Sequence, residues 1–515
     1  MKTPFSRLSI FGLFLAAVLF GHAKTTTADL VGSPYFVIQV VDEETGRGVP
    51  LVELRTVSNL RFYTDSGGLV ALDDPALMNQ KVYLSVASDG YEFPADGFGN
   101  RGRAFDVKAG GEATLKIKRV NIAERLYRVT GNGIYRDTVA ANRKPPIREP
   151  LLNAKVVGQD TVQMLPYKGK IYWFWGDTNR LAYPLGHFGT SGATSEFPGQ
   201  GGLDPSVGVD LTYFVNADGF SKPTCDIPGQ GPKWIDGLMV VKDDSGQDRL
   251  VAKFNRMKSL GEVLERGLLQ WDAASQTWKL LKRFELTDPL YPGGQPFRLS
   301  DAGAEYFYFP PARVRADLKS ITDRRQYEAF TCLAPGSRYQ KESSKLDRRP
   351  DGTLDWGWKR DTSTVGGIEE AELIKAGLMK PSESQFLLHD VVAHRTVVPH
   401  AGSICWNEYR KRWVQIAVEL GGQSSFLGEV WYAEADSPVG PWYWARKIVT
   451  HNRYSFYNPV QHPLFDQEGG RLIYFEGTYT VTFSGNDHPT PLYDYNQIMY
   501  RLDLSDPRLK MPAMP

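Results

Sequence analysis

The residues best placed by type and spacing to do chemistry are Asp160 and Asp177, in the stretch KVVGQDTVQMLPYKGKIYWFWGDT between Lys155 and Thr178. This segment reads as two apolar strands joined by a tight turn at Lys168-Gly169-Lys170. Asp160 enters the first strand and Asp177 leaves the second. A hairpin reverses direction, so both acids fall at the same edge of the sheet. Two carboxyl groups side by side are what general acid/base chemistry requires, above all glycoside hydrolysis. The plainer reading makes Asp177 the middle of a Gly-Asp-Thr turn and Asp160 an ordinary loop residue.

Other side chains compete for a place beside the pair. Asp204, in GGLDPSVGVD, follows a glycine-rich loop and could line the same site or close a turn. Trp175 is one of three aromatics next to Asp177, and strand alternation sends some of them into the core. Arg256 lies just after a strand, where it could bind a sugar hydroxyl or sit in a surface salt bridge. Glu429 precedes VWYA, either as a third acid or as a solvated strand end. Asn458, His462 and Glu476 surround one hairpin, YNPVQHPLFDQEGGRLIYFEGTYT. Glu476 sits among aromatics, so its charge requires a partner, with Arg256 and His462 the candidates. His394, His400 and His462 could surround a cation on a central axis. No HxH or HExxH spacing accompanies them, so ordinary hydrogen-bonded roles are expected and no cofactor is assigned.

Composition narrows the classes. Lys2 and Arg7, the apolar run Leu8–Phe20 and Gly21-His22-Ala23 have the layout of a secretory signal peptide, with the mature chain beginning near Lys24. The run is too short to anchor in a bilayer, and no later segment is long and apolar enough to cross one. The expectation is an exported protein, secreted, periplasmic or at the cell surface. From Lys24 onward 58 basic residues face 59 acidic ones, so nothing electrostatic favours nucleic acid or an anionic membrane. Three widely spaced cysteines, Cys225, Cys332 and Cys405, make no disulfide framework or metal motif. There is no G-x-S-x-G elbow, P-loop or dinucleotide fingerprint. With 50 glycines, 33 prolines, 26 Phe, 25 Tyr and 12 Trp, the chain suits a turn-rich β protein with an aromatic-lined cleft.

The positioning elements follow from periodicity. Residues 35–120 alternate as short strands and turns (FVIQVVD, VPLVELRTV, LVALDD, VYLSVASDGYEF, ATLKIKRV) and predict a small β-sandwich. Residues 121–150, with one short helix expected in NIAERLYRVTG and a double proline at Pro145-Pro146, read as a connector. From 151 to 510 a strand-turn-strand unit recurs five times, which predicts a five-bladed β-propeller. The interruption at 336–386, with a helix expected at IEEAELIKAGLM, reads as an insertion on one face. The fold class is all-β, an N-terminal sandwich followed by a propeller.

Two resemblances accompany this reading. The order TG…VP…VEL…TDSGG…GYEF resembles transthyretin-like (carboxypeptidase regulatory-like) modules, which implies an accessory domain. GEVWYAEADSPVGPW and YNPVQHPLFDQEGGRLIYFEGTYT, together with the Asp160/Asp177 hairpin, resemble the five-bladed propeller glycosidases, the arabinanases, fructanases and their relatives. Within that group GQDTVQ…KGKIYWFWGDT is most similar to the endo-D-arabinanase-like branch. That resemblance implies Asp160 and Asp177 as the catalytic pair and a furanosidic polysaccharide as substrate. The competing expectation is a carbohydrate- or protein-binding propeller without chemistry.

Overall fold

The computed structural model describes residues 33–225 and 227–514. The export signal expected at the N-terminus lies outside the described residues. Among those described, no helix is long and apolar enough to cross a membrane.

The N-terminal unit packs two four-stranded sheets face to face. One holds Leu69–Leu72, Phe36–Asp42, Glu112–Arg119 and Tyr91–Glu92; the other holds Arg61–Tyr63, Glu53–Thr56, Lys81–Ala87 and Gly102–Asp106. Strand alternation turns Ile38, Val40, Leu54, Val70, Leu84, Leu115 and Ile117 inward to form its core.

The rest is a five-bladed propeller. Blade 1 is Gln163–Tyr167, Lys170–Trp175, Ser191–Ser195 and Thr212–Tyr213. Blade 2 is the most regular, Lys233–Lys242, Asp248–Ser259, Glu262–Asp272 and Thr277–Phe284. Blade 3 runs from Phe297–Asp301 through Ala304–Phe309, Ala312–Arg315 and Glu328–Thr331 to a fifth strand, Gly357–Arg360. Blade 4 is Pro399–Asn407, Arg412–Glu419, Val430–Ala435 and Trp444–Val449, widened at its outer edge by Leu388–Asp390 and Thr396–Val397. Blade 5 is Ser455–Gln461, Leu472–Thr480, Asn496–Asp503 and Glu124–Arg128. Each blade gap holds its own apolar cluster: Trp173 and Trp175 pack between blades 5 and 1, and Phe174 and Trp271 between blades 1 and 2.

Two segments differ from their sequence reading. The stretch taken as a connector supplies the outer strand of blade 5, Glu124–Arg128, paired antiparallel to Asn496–Asp503. Its short helix lies later, at Arg136–Ala140. All five residues of ERLYR, within the NIAERLYRVTG stretch where a short helix is expected, are buried. Burial on both faces, between the last blade and the sandwich, overrides local propensity. The interruption at 336–386 carries the expected helix, at Gly367–Lys375, but also the fifth strand of blade 3.

The sandwich is seated on blade 5 through buried polar contacts. The Tyr493 hydroxyl accepts from the Leu51 N–H (3.1 Å) and donates to the Thr64 carbonyl (2.6 Å). Arg125, fully buried, donates to the Pro50 carbonyl at 3.1 Å. The Thr138 N–H donates to Asp65 Oδ2 at 2.6 Å.

Candidate active site

The two acids sit in a break in one long hairpin. Below the break, Gln163 pairs with Phe174 in blade 1; above it, Gln159 pairs with Thr178 in a three-stranded extension with Tyr183–His187. The same register holds on both sides, and across the break the two acids meet: the Asp177 N–H donates to the Asp160 carboxyl, and the charge of Asp160 acts on Asp177. The Gly176 N–H donates to the Asp160 carbonyl at 2.8 Å, holding the two chains together where regular pairing stops. A Cβ on Gly176 would stand 2.3 Å from Asp160 Oδ1, so a larger residue here would displace the Asp160 carboxyl.

Backbone strain gathers at the break. Thr161 (φ 52°), Asn458 (φ 50°) and Tyr495 (φ 58°) are all in the left-handed region, which is costly for a β-branched or aromatic residue. Their contacts interlock. The Thr161 N–H donates to Thr478 Oγ1 (3.0 Å), and Asn458 Nδ2 donates to Thr161 Oγ1 (2.9 Å). Blade 5 thereby fixes the loop that carries Asp160.

The two carboxyls have different surroundings. Asp160 receives the Tyr457 hydroxyl at 2.8 Å, the Tyr495 hydroxyl and the Asp177 backbone N–H. Asp177 receives the Trp234 indole N–H at 2.7 Å and the Gly189 N–H. Burial pushes both carboxyls above the usual range. For Asp177, burial and then the charge of Asp160 bring the value up to about 7, against the opposing indole. For Asp160 burial also dominates, opposed by its hydroxyl and N–H donors. Burial and the neighbouring Asp160 charge hold the Tyr457 and Tyr495 hydroxyls well above their ordinary range, so both stay protonated donors. Both acids remain partly open to solvent. Phe483, 47% exposed, stands edge-on to Tyr457 at 6.0 Å and gives the rim an apolar surface. This is an arrangement in which one carboxyl can hold a proton while the other stays anionic.

The remaining candidates are dispersed, each for a physical reason. Trp175 is 1% exposed and stacks with Trp173 in the core between blades, so it offers no sugar platform. Asp204 caps its own turn, accepting from the Ser206 N–H at 2.8 Å and from Gln467 at 3.0 Å. Gln467 follows the C-terminal end of the inner strand Ser455–Gln461, whereas Asp160 is held at its N-terminal end, so Asp204 is on the opposite face. Arg256 is tied to Glu265 at 2.9 Å on blade 2. Glu429, 1% exposed, is held by the partly exposed Lys447 (2.9 Å), Ser424 (2.9 Å) and Arg395 (3.5 Å), and shares Arg395 with the buried Glu419. His462 and Glu476 pair at 3.0 Å, both buried, beside Trp173 and Phe465. Asn458 does reach the site, through Thr161 rather than through an open face. The three histidines do not converge: His394 lies against Trp444 in the outer part of blade 4, His400 starts its inner strand, and His462 is in the core. Among the described residues no group of three or more His, Cys, Asp or Glu is arranged to hold a metal.

Sequence reasoning missed Tyr457, Tyr495 and Trp234. Tyr457 and Asn458 open the hairpin already singled out, so their nearness was accessible. Trp234 and Tyr495 lie on other segments, and only the closed ring of blades brings them to the acids.

No protein-family model matches the chain, and no curated protein does. Solved structures align at low identity. An exo-β-1,3-galactanase from Phanerochaete chrysosporium bound to galactose is 11% identical over 68% of this chain and 61% of its own, with TM-score 0.32. An α-L-arabinanase from Penicillium chrysogenum with arabinobiose is 13% identical over 74% and 99%, with TM-score 0.33. A GH43_1 enzyme of Xanthomonas citri with xylose is 11% identical over 67% and 86%, with TM-score 0.32. The chain spans about three fifths of the galactanase it matches. With TM-scores this low, the superpositions carry no functional weight.

Proposed function

We propose that this chain is a glycoside hydrolase that acts on a polysaccharide through Asp160 and Asp177. The observation that carries the reading is the meeting of two half-buried carboxyls at the break in one hairpin, with unlike hydrogen-bond partners. Asp177, pushed up to about 7, is the proton donor to the leaving glycosidic oxygen. Asp160, gripped by two tyrosine hydroxyls and the Asp177 N–H, is the anionic partner that acts on the anomeric side, as nucleophile or as base toward water. Trp234 orients Asp177 and sets how readily it gives up its proton.

The finer assignments rest on the sequence. The hairpin motif supports a furanosidic, arabinan-like substrate and kinship with the endo-D-arabinanase-like branch. The strand order of residues 35–120 supports a transthyretin-like module. The N-terminal segment supports export with a mature start near Lys24, which N-terminal sequencing of secreted protein tests. A screen of the purified protein against arabinans, fructans and arabinogalactans, read as released oligosaccharides, tests the activity. Binding without any release would favour the non-catalytic alternative.

A further inference from the structure

A cavity of about 310 Å³ opens where the sandwich meets blade 5. The sandwich lines it with Arg61, Tyr63 and Asp89, and blade 5 with His488. Buried Tyr454 and Tyr479, stacked at 4.0 Å between ring centroids, form its base. This volume and its mixture of aromatic and convergent polar groups are those of a small-ligand site.

Blade 5 separates the cavity from the acid pair by the thickness of one sheet: Tyr457 and Thr478, paired across two strands, hold Asp160 and Thr161 on one face, and Tyr479, the next residue, stacks with Tyr454 on the other. The loop from Val481 to Tyr495 borders both places, with Phe483 and Tyr495 toward the acids and His488 and Thr490 toward the cavity. Acidic and basic groups are mixed there, so no strong field favours an anionic ligand. Burial pushes Asp89 up to about 6, against the pull of Arg125, leaving a carboxylate able to accept from neutral hydroxyls near neutral pH.

We propose that this junction cavity is a distal subsite, holding a further stretch of the neutral polysaccharide whose scissile bond lies at Asp160 and Asp177. The sandwich is then a substrate-binding element, and the proposal rests on the hydrolase reading for its ligand class.

The test compares the full-length wild type with an Arg61→Ala/Asp89→Asn double variant and with His488→Ala, whose side chain is exposed. Kinetics are measured on the polymer that the wild type cleaves and on its shortest cleavable oligosaccharide. Affinity electrophoresis in gels containing the same arabinan, fructan or arabinogalactan reads binding alone. Both variants should raise KM for the polymer about five- to tenfold, the scale of one or two lost hydrogen bonds, with kcat and the short substrate unchanged. An unchanged polymer KM, or equal losses on long and short substrates, would overturn the subsite. If the wild type cleaves no glycan, the hydrolase reading fails separately and electrophoresis decides. Retardation by a polysaccharide that the double variant loses would uphold the site; retention by both proteins, or by neither, would end it.

Discussion

At the scale of single residues, a raised carboxyl value does not by itself mark a catalytic acid here. Burial also pushes Glu370 and Asp466 up to about 7. Glu370, however, is wholly occupied, accepting from the Ser384 hydroxyl and from the N–H groups of Gln385 (2.7 Å) and Phe386 (2.9 Å). Asp466 is bound by Gln461 and has no second acid beside it among the described residues, whereas Asp177 is partly open and feels the charge of Asp160. The Asp177 value of about 7 has a kinetic consequence: kcat should fall as pH rises through that range and the proton is lost. The Trp234 indole favours the charged form, so Trp234→Phe should move this alkaline limb to higher pH. By the same logic Tyr457→Phe removes a donor that lowers Asp160, and should move the acidic limb of kcat/KM upward. A pH–rate profile that neither substitution moves would detach these residues from the chemistry. The site also costs stability, and the sign follows from linkage. The folded state holds the Asp177 proton up to about 7, whereas the unfolded state releases it near 3.8, so stability drains away as pH rises between the two. Asp177→Asn should therefore melt higher than wild type at about pH 8, with the gap closing toward pH 4.

At the scale of elements, the hairpin was legible from the sequence because turn chemistry and apolar alternation both mark it. Its register then brings Asp160 and Asp177 to the two sides of one break in the pairing. The strand Glu124–Arg128 was not legible. Arg125 and Arg128 fall in the segment that reads as a connector, yet both are buried at the seam between blade 5 and the sandwich. Long-range closure of the ring decides that strand, and no local pattern encodes closure. A chain starting at Leu151, the boundary the sequence suggests, should thus lack the outer strand of blade 5 and fail to melt cooperatively. One starting near residue 33 should melt as a single folded unit, as followed by circular dichroism. The His462–Glu476 pair was half legible: the sequence demanded a partner for Glu476, and His462 supplies it in the core. Breaking it by His462→Ala should cost ~3 kcal/mol in urea unfolding, the scale for emptying a buried ring's space and leaving its polar partner unsatisfied, while leaving kcat of the folded fraction unchanged. A loss of kcat without loss of stability would return His462 to the active site.

At the scale of the whole molecule, five aromatic-rich repeats announced the blades, and the sandwich followed from strand spacing. The surroundings of the acids were hidden because they come from three separate blades: Asp160 and Asp177 from blade 1, Trp234 from blade 2, Tyr457 from blade 5 with Tyr495 just before its third strand. Only the ring brings them to one place, and dispersed candidates such as Glu429 and Asp204 show how many acids in such a chain serve structure instead. The central claim is that these two carboxyls are an acid and its anionic partner in glycosidic cleavage. The most direct measurement is oligosaccharide release from a polysaccharide that the wild type degrades, by Asp160→Asn and Asp177→Asn proteins shown to be folded. Each substitution should lower turnover by at least ~10²-fold, the usual contribution of a general acid or base. Wild-type turnover in both variants would contradict the account.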